Sequence, residues 1–204
     1  MKLYVTCFIG DKETGVPKDT ESAKIWKDLF SQEGIDTEEA EIGSEKDGYF
    51  KGMQKNQRIF YYDASKNWWS RAGVPANMRL GEPGGPDSEV FYDFGTPHDK
   101  KYGKHCHPNC DCGRFLEIGN SVFMAYKKTA KGFELLPAPN VDFGGGLERI
   151  AAAAINSPDV FQISLLKPII TGLEGLSDKK YEQHQTAMRV IADHMRAAIW
   201  WGVD

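Results

Sequence analysis

Apolar and polar positions follow two different rhythms along this chain. Leu3-Tyr4-Val5-Thr6-Cys7-Phe8-Ile9 alternates and is β-branched enough to predict a strand. Between Glu21 and Phe30 the apolar residues Ala23, Ile25, Trp26, Leu29 and Phe30 recur near helical spacing, with Thr20 as a candidate N-cap. Residues 31–66 are polar: the acidic run Asp36 to Glu45 reads as a solvated face and Gly48 to Gln57 as a surface connection, before a short strand at Arg58-Ile59-Phe60-Tyr61-Tyr62. Seven Gly or Pro residues between Ser70 and Pro86 predict a long ordered loop over a ligand cleft. Strands follow at Glu89 to Phe94 and Phe115 to Lys127, then an extended run Phe133 to Pro139 and a helix from Leu147 to Ile155. Near the end Met188, Ile191, Met195 and Ile199 recur at steps of three and four, which predicts a buried helical stripe.

Composition narrows the class. A chain of 204 residues with 41% hydrophobic and 12% aromatic content can bury one sizeable core and a small appendage. The formal charge of -4 argues against a strong nonspecific nucleic-acid binder, because phosphate binding rewards a basic surface. There is no apolar run of membrane-spanning length and no presequence pattern, so no membrane is expected and the cytoplasm is the default compartment.

Between His98 and Cys112 lie three of the four cysteines and three of the five histidines. Such clustering favours zinc over free thiols or a disulfide, since thiolates and an imidazole together suit a closed tetrahedral site. Cys106, Cys110 and Cys112 are the candidate thiolate ligands, with His107, His105 or His98 as the fourth. The close spacing of Cys110 and Cys112 is unlike the common Cys-x-x-Cys knuckle.

The richest stretch is Asn140-Val141-Asp142-Phe143-Gly144-Gly145-Gly146-Leu147-Glu148-Arg149, an acid, three glycines and an arginine at a strand-to-helix junction. Glycines let a backbone approach a ligand closely, and a helix start offers unpaired N–H groups to an anion. Arg149 would add a planar fork that matches phosphate oxygens. A structural glycine turn with a surface arginine is the alternative. The segment lacks the Lys-Ser/Thr ending of a P-loop and the glycine spacing of a dinucleotide fold.

Gly144-Gly145-Gly146-Leu147-Glu148-Arg149 after a strand resembles the third signature motif of class II aminoacyl-tRNA synthetases, and with Val141-Asp142 it is similar to that of the alanyl-tRNA synthetase family. Three further blocks carry the resemblance in the same order: Asn67-Trp68-Trp69 with Gly81 to Asp93, then Leu116 to Met124, then Ala187 to Ala197. The resemblance implies an α+β fold, part of the class II synthetase antiparallel β-sheet with flanking helices. It implies the second half of a catalytic domain at 1–160, carrying the Cys/His insert at 98–112, and the start of a helical tRNA-recognition region at 161–204. Some members of the family carry a similar Cys-rich insertion. Departures occur at Phe143 and Gly145, where the family has Thr and Met, and at Gly119, where it commonly has Trp.

The activity implied is alanine–tRNA ligation, with alanine, tRNA(Ala) and ATP with Mg2+ as substrates and structural zinc as an added metal. Asp142 would pair with the substrate ammonium and Asn120 would bond its carboxylate end, with Trp69 and Val122 walling a methyl-sized pocket. Gly144 and Gly146 would make room for the adenylate and Arg149 would contact the nucleotide. Glu89 and Asp93 fall on one side of a strand with no role assigned, and Arg189 and Arg196 could meet tRNA or dock on the sheet. The family's first two motifs do not appear, so the expected partner is the N-terminal half of the catalytic domain, in the same polypeptide or a separate subunit. This chain alone is expected to be inactive. A noncatalytic synthetase-like module that binds a ligand or partner is the other reading.

Overall fold

The computed structural model describes residues 2–202, apart from the Trp200 side chain. Backbone contacts divide the chain into two compact units, Met1–Leu147 and Glu148–Asp204.

The first unit is built on a seven-stranded sheet in the order β2-β3-β1-β5-β6-β7, with β4 paired on β5. Its strands are β1 (Leu3–Phe8), β2 (Glu38–Gly43), β3 (Gln57–Tyr62), β4 (Trp68–Ser70), β5 (Pro83–Asp93), β6 (Phe115–Thr129) and β7 (Gly132–Gly145). Pairings among β1, β4, β5, β6 and β7 are antiparallel, whereas β1 and β2 both run parallel to β3. A parallel pair needs a crossover. Helices α1 (Thr20–Gln32) and α2 (Glu45–Lys51) supply two of them. Buried on both faces, β3 carries the continuous apolar run Ile59-Phe60-Tyr61-Tyr62 that such a position demands.

On one face α1 seats Ala23 and Phe30 against Val5, Cys7, Ile59 and Tyr61. The opposite face buries Tyr4, Phe60, Tyr62, Phe91 and Phe115 with Cys106 and Cys110, and Tyr49 and Met53 pack against it. The cysteine loop and α2 therefore cover the face away from α1.

Several elements differ from the sequence reading. Helix α1 is capped by Asp19, whose Oδ1 accepts from Ser22 N at 2.9 Å; Thr20 is already helical. Within the acidic run Glu38, Glu39 and Glu41 line the edge strand β2, and Ile42 is buried. The expected connection at Gly48 to Gln57 begins inside α2, which a Ser44/Asp47 capping box starts. Gly48 hid that helix: a Cβ there would meet the His107 ring at 2.6 Å, so packing overrides propensity. The Gly/Pro loop ends early, because Gly84, Gly85 and Pro86 pair with β4. A Cβ on Gly85 would lie 1.9 Å from the Phe123 carbonyl oxygen, so only glycine admits this approach.

The second unit contains α3 (Leu147–Ala154, entered from the last residue of the first unit), α4 (Lys167–Ser177) and α5 (Tyr181–Trp201). The predicted stripe along α5 is only partly buried: Met188 is 4% exposed, whereas Ile191, Met195 and Ile199 are exposed. Met188 and Ala192 pack with Ile170 and Tyr181. With 11 residues against 21, α4 is too short to cover the later turns of α5. Arg189 is held by Asp159 and Tyr181, and Arg196 by Glu148 and Asp193, so both serve ion pairs inside this unit.

Candidate functional site

Strand register assembles the polar centre of the sheet. Asn120 and Val122 on β6 stand opposite Gly144 and Asp142 on β7, and opposite Glu89 and Asp87 on β5. Paired residues share a face, as do residues two apart on one strand. Asp87, Glu89, Asn120, Val122, Asp142 and Gly144 therefore lie on one face, across three adjacent strands.

Beneath them runs a buried hydrogen-bond network. Asn67 Nδ2 donates to Thr6 Oγ1 at 2.7 Å and to Asp87 Oδ1 at 3.1 Å. Asn120 Nδ2 donates to the other Asp87 oxygen at 3.2 Å, and Thr6 Oγ1 donates to Glu89 Oε2 at 3.1 Å. The carbonyl oxygens Asn67 Oδ1 and Asn120 Oδ1 are buried without a hydrogen-bond partner among the described residues. Burial pushes the Asp87 carboxyl up to about 6, against the pull of the Asn120 and Asn67 amides. Burial, then the charge of Asp87, pushes Glu89 up to about 8. Glu89 is thus chiefly neutral near neutrality, and the network can hold two carboxyls close together. The sequence reading quoted Asn67 and Asp87 inside family-like blocks without a role, and Thr6 without any signal beyond its strand.

Asp142 is exposed, and its Oδ1 accepts a local bond from Phe143 N at 2.9 Å. Gly144 needs its missing side chain neither for backbone strain nor for packing: its φ is not positive and a Cβ would meet nothing within 4 Å. The Phe143 ring passes over Gly119, where a Cβ would contact it at 3.0 Å. Two of the three departures from the family pattern, Phe143 and Gly119, thus compensate, a large residue on β7 covering a small one on β6. Trp69 is 41% exposed whereas Trp68 is 6% exposed, packed edge-on to Phe8 and Phe133. Alternation along β4 makes the first a surface wall and the second core. Gly146 separates β7 from α3, whose first turn carries Arg149 in the second unit.

Asp93 is a framework residue. Arg114 Nε and Nη2 donate to its two oxygens at 2.9 and 2.7 Å, tying the end of β5 to the start of β6 and holding its carboxyl below the ordinary range despite burial.

At the other end of this face the Cys/His loop brings together His98, Cys106, Cys110 and Cys112, their ligand atoms all within 4.8 Å of one another. The histidine of the group is His98, in place of the His107 preferred from sequence. His107 Nδ1 meets the Tyr62 hydroxyl at 2.8 Å and its ring stands edge-on to Tyr49, so neighbouring aromatics hold it in the sheet's core. His105 lies beside Gly52, where a Cβ would approach it at 2.8 Å. Cys110 and Cys112 do converge despite their spacing, because Gly113 turns the chain at φ +80°.

Fold, motif order and the shared face define the class. The sequence profile of the family tRNA synthetases class II (A) matches residues 12–201, and the chain belongs to that family. Its mostly antiparallel sheet with flanking helices is the α+β arrangement expected of such a domain.

Within the family the chain is similar to alanine–tRNA ligases. It is 36% identical to that of Treponema denticola over 201 residues, covering 97% of this chain and 28% of the relative. It is 35% identical to that of Borrelia hermsii over the same coverage, and 42% identical to that of Desulfosudis oleivorans over 163 residues, 69% of this chain and 18% of the relative. The chain thus spans about a quarter of the length of the first two of these relatives. No helix among the described residues is long and apolar enough to cross a membrane.

Proposed function

We propose that this chain supplies the alanine pocket and the third-motif wall of the ATP site of an alanine–tRNA ligase acting in the cytoplasm. The observation that carries the proposal is the register of β5, β6 and β7, which sets Asn120, Val122, Asp142 and Gly144 on one face above the Asp87 network. The relatives named alanine–tRNA ligase support the same reading.

In this reading the Asp142 carboxylate receives the alanine ammonium by a charge-assisted bond. Asn120 meets the carboxylate end, with one amide hydrogen held by Asp87 and the other directed at the substrate. Val122 and Trp69 limit the side chain to a methyl group. Gly144 and Gly146 leave room for the adenylate, and Arg149 contacts the nucleotide. An alanine carboxylate oxygen attacks the α-phosphorus of ATP, the bond to the bridging oxygen breaks, and pyrophosphate leaves; Mg2+ accompanies the phosphates and spreads their charge. The tRNA(Ala) terminal hydroxyl then displaces AMP from the alanyl carbonyl. The protein's share is placement and charge stabilisation. Val141 and Phe143, exposed and apolar on the other face of the edge strand β7, support packing of the N-terminal half of the catalytic domain against that side of the strand.

Calorimetric titration with a nonhydrolysable alanyl-adenylate analogue tests the pocket. Wild type should bind more tightly than Asp142→Ala and Arg149→Ala; equal affinity in all three overturns the assignment. ATP–pyrophosphate exchange should be absent for this chain alone and return when the N-terminal half is added. Failure of the combined halves to exchange, when both bind the analogue, would leave a binding module.

A further inference from the structure

We propose that Glu89 is a positioning residue for Asn120: its protonated carboxyl donates to Asn120 Oδ1 and closes a ring of hydrogen bonds that aims the Asn120 amide at the substrate. The inference rests on the alanine pocket proposed above and deepens it, by adding the group that orients the amide of that pocket.

The ring is already built except at one link. Asn67 Nδ2 donates to Thr6 Oγ1 at 2.7 Å, and Thr6 Oγ1 donates to Glu89 Oε2 at 3.1 Å. On the other side Asn67 Nδ2 donates to Asp87 Oδ1 at 3.1 Å, and Asn120 Nδ2 donates to Asp87 Oδ2 at 3.2 Å. The open link lies between Glu89 and Asn120. These residues stand opposite each other in the β5–β6 register, where Cβ atoms of such a pair are about 5 Å apart. Asn120 Oδ1, the acceptor that would end the ring, is buried with no hydrogen-bond partner among the described residues. Leaving a buried carbonyl oxygen without a donor is costly. A carboxylate cannot meet that need, whereas a carboxylic acid offers one O–H.

Geometry also says which acid holds the proton. Both Asp87 oxygens accept amide hydrogens, which favours its ionised form. Glu89 accepts at Oε2 from Thr6, so Oε1 is the position for the proton. The surroundings agree. Burial and the charges of Asp87 on β5 and Glu117 on β6 outweigh the Thr6 hydroxyl on β1 and the Lys66 ammonium before β4, raising the Glu89 carboxyl to about 8. Glu117 reaches this face because the irregularity between Val90 and Phe91 sets it opposite Phe91. Lys66 is itself paired with Glu45 at 2.7 Å. Tyr62 on β3 is a further titratable neighbour, and burial holds its hydroxyl well above its ordinary range.

Ionisation of Glu89 changes what Asn120 can do. With Glu89 neutral, Asn120 Oδ1 accepts its proton, one Nδ2 hydrogen goes to Asp87, and the other is directed at the acyl oxygen of the substrate. With Glu89 ionised, the amide meets two acidic acceptors, and Glu89 competes for the hydrogen that the substrate needs. The new charge also adds to a face that already carries Asp87, Glu117 and Asp142.

The test follows the whole chain by NMR and calorimetry. Carboxyl carbon shifts of the unliganded chain should show Glu89 titrating at about 8, with the Asn120 side-chain amide resonances moving over the same range. Affinity for a nonhydrolysable alanyl-adenylate analogue should fall as pH rises through about 8. Glu89→Gln, whose amide N–H replaces the acid O–H, should remove roughly 10-fold of that fall, the worth of one hydrogen bond, and leave the part due to the analogue's own ammonium. Glu89→Ala should bind about 10-fold more weakly than Glu89→Gln at every pH. A purely structural Glu89 would not give the two variants these different profiles. Asn120 resonances that stay fixed while Glu89 titrates, or a Glu89 carboxyl that titrates in the ordinary carboxylate range, would overturn the proposal without reference to any ligand. So would an identical pH dependence of analogue affinity in wild type and Glu89→Gln. An analogue that binds at no pH overturns the alanine pocket instead, and the NMR titration then judges the ring by itself.

Discussion

Asn120 Nδ2 donates to Asp87 Oδ2 at 3.2 Å, while the second oxygen of the same carboxylate accepts from Asn67 Nδ2 at 3.1 Å. One buried acid thus orients two amides, one in the core behind it and one in the row of residues that faces the proposed substrate. Asp87→Ala should leave Asn120 Nδ2 without its acceptor, whereas Asn67 Nδ2 keeps Thr6 Oγ1 and the backbone carbonyl of residue 87, and should destabilise the chain by about 1 to 3 kcal/mol. Asp87→Asn, which keeps the shape and one acceptor, should cost less. Urea denaturation monitored by tryptophan fluorescence measures both, and an equal loss for the two variants would contradict this account of Asp87.

Asp142 and Gly144 should separate binding from stability. Asp142 is exposed with one local bond, so Asp142→Ala should change stability by no more than about 0.5 kcal/mol. A lost charge-assisted bond of about 1.5 to 3 kcal/mol should lower affinity for an alanyl-adenylate analogue by roughly 10-fold or more. Gly144→Val should leave the melting temperature within a few kelvin and still abolish analogue binding, because its side chain would project into open space. Retained affinity in either variant would show that the ligand sits elsewhere.

Glu89 should make stability depend on pH with a definite sign. Its carboxyl is raised from 4.5 to about 8, so the folded state holds the proton more tightly than the unfolded chain does. Its contribution is therefore complete below the unfolded value and is lost as pH rises through about 8. Asp87 acts in the same direction over a lower range, ending near 6. Glu89→Gln should flatten the fall in melting temperature between mildly acid and mildly alkaline buffer; an identical slope in wild type and variant would remove Glu89 as its source.

The neighbouring tryptophans should behave unlike each other. Trp68→Ala empties a site packed by Phe8, Met78 and Phe133 and should cost about 3 to 5 kcal/mol. Trp69→Ala, on the exposed side of β4, should cost under about 1 kcal/mol and act on the analogue's affinity instead. Comparable destabilisation by both would contradict their placement on opposite faces.

Much of the site was legible because its signals are local. The glycine-rich junction after a strand, the Asn120 block and the two tryptophans are contiguous motifs. The Asp87 network was not legible, since Thr6 on β1, Asn67 just before β4 and Asp87 on β5 are distant in sequence and meet only through strand pairing. The choice among His98, His105 and His107 had the same cause. The sequence reading put His107 first among them, but a hydrogen bond to Tyr62 of β3 holds it away from the thiols.

The sequence by itself determined the α+β class, the main antiparallel strands, the family and the order of its motifs, because periodicity and glycine chemistry act over a few residues. Only the tertiary structure decided the parallel half of the sheet, the capping-box helix α2, the carboxylate shared by two asparagines and the histidine beside the three thiols. Each of these depends on which distant segments become neighbours. Packing, desolvation and strand register make that decision, and none of them is a property of one stretch of chain.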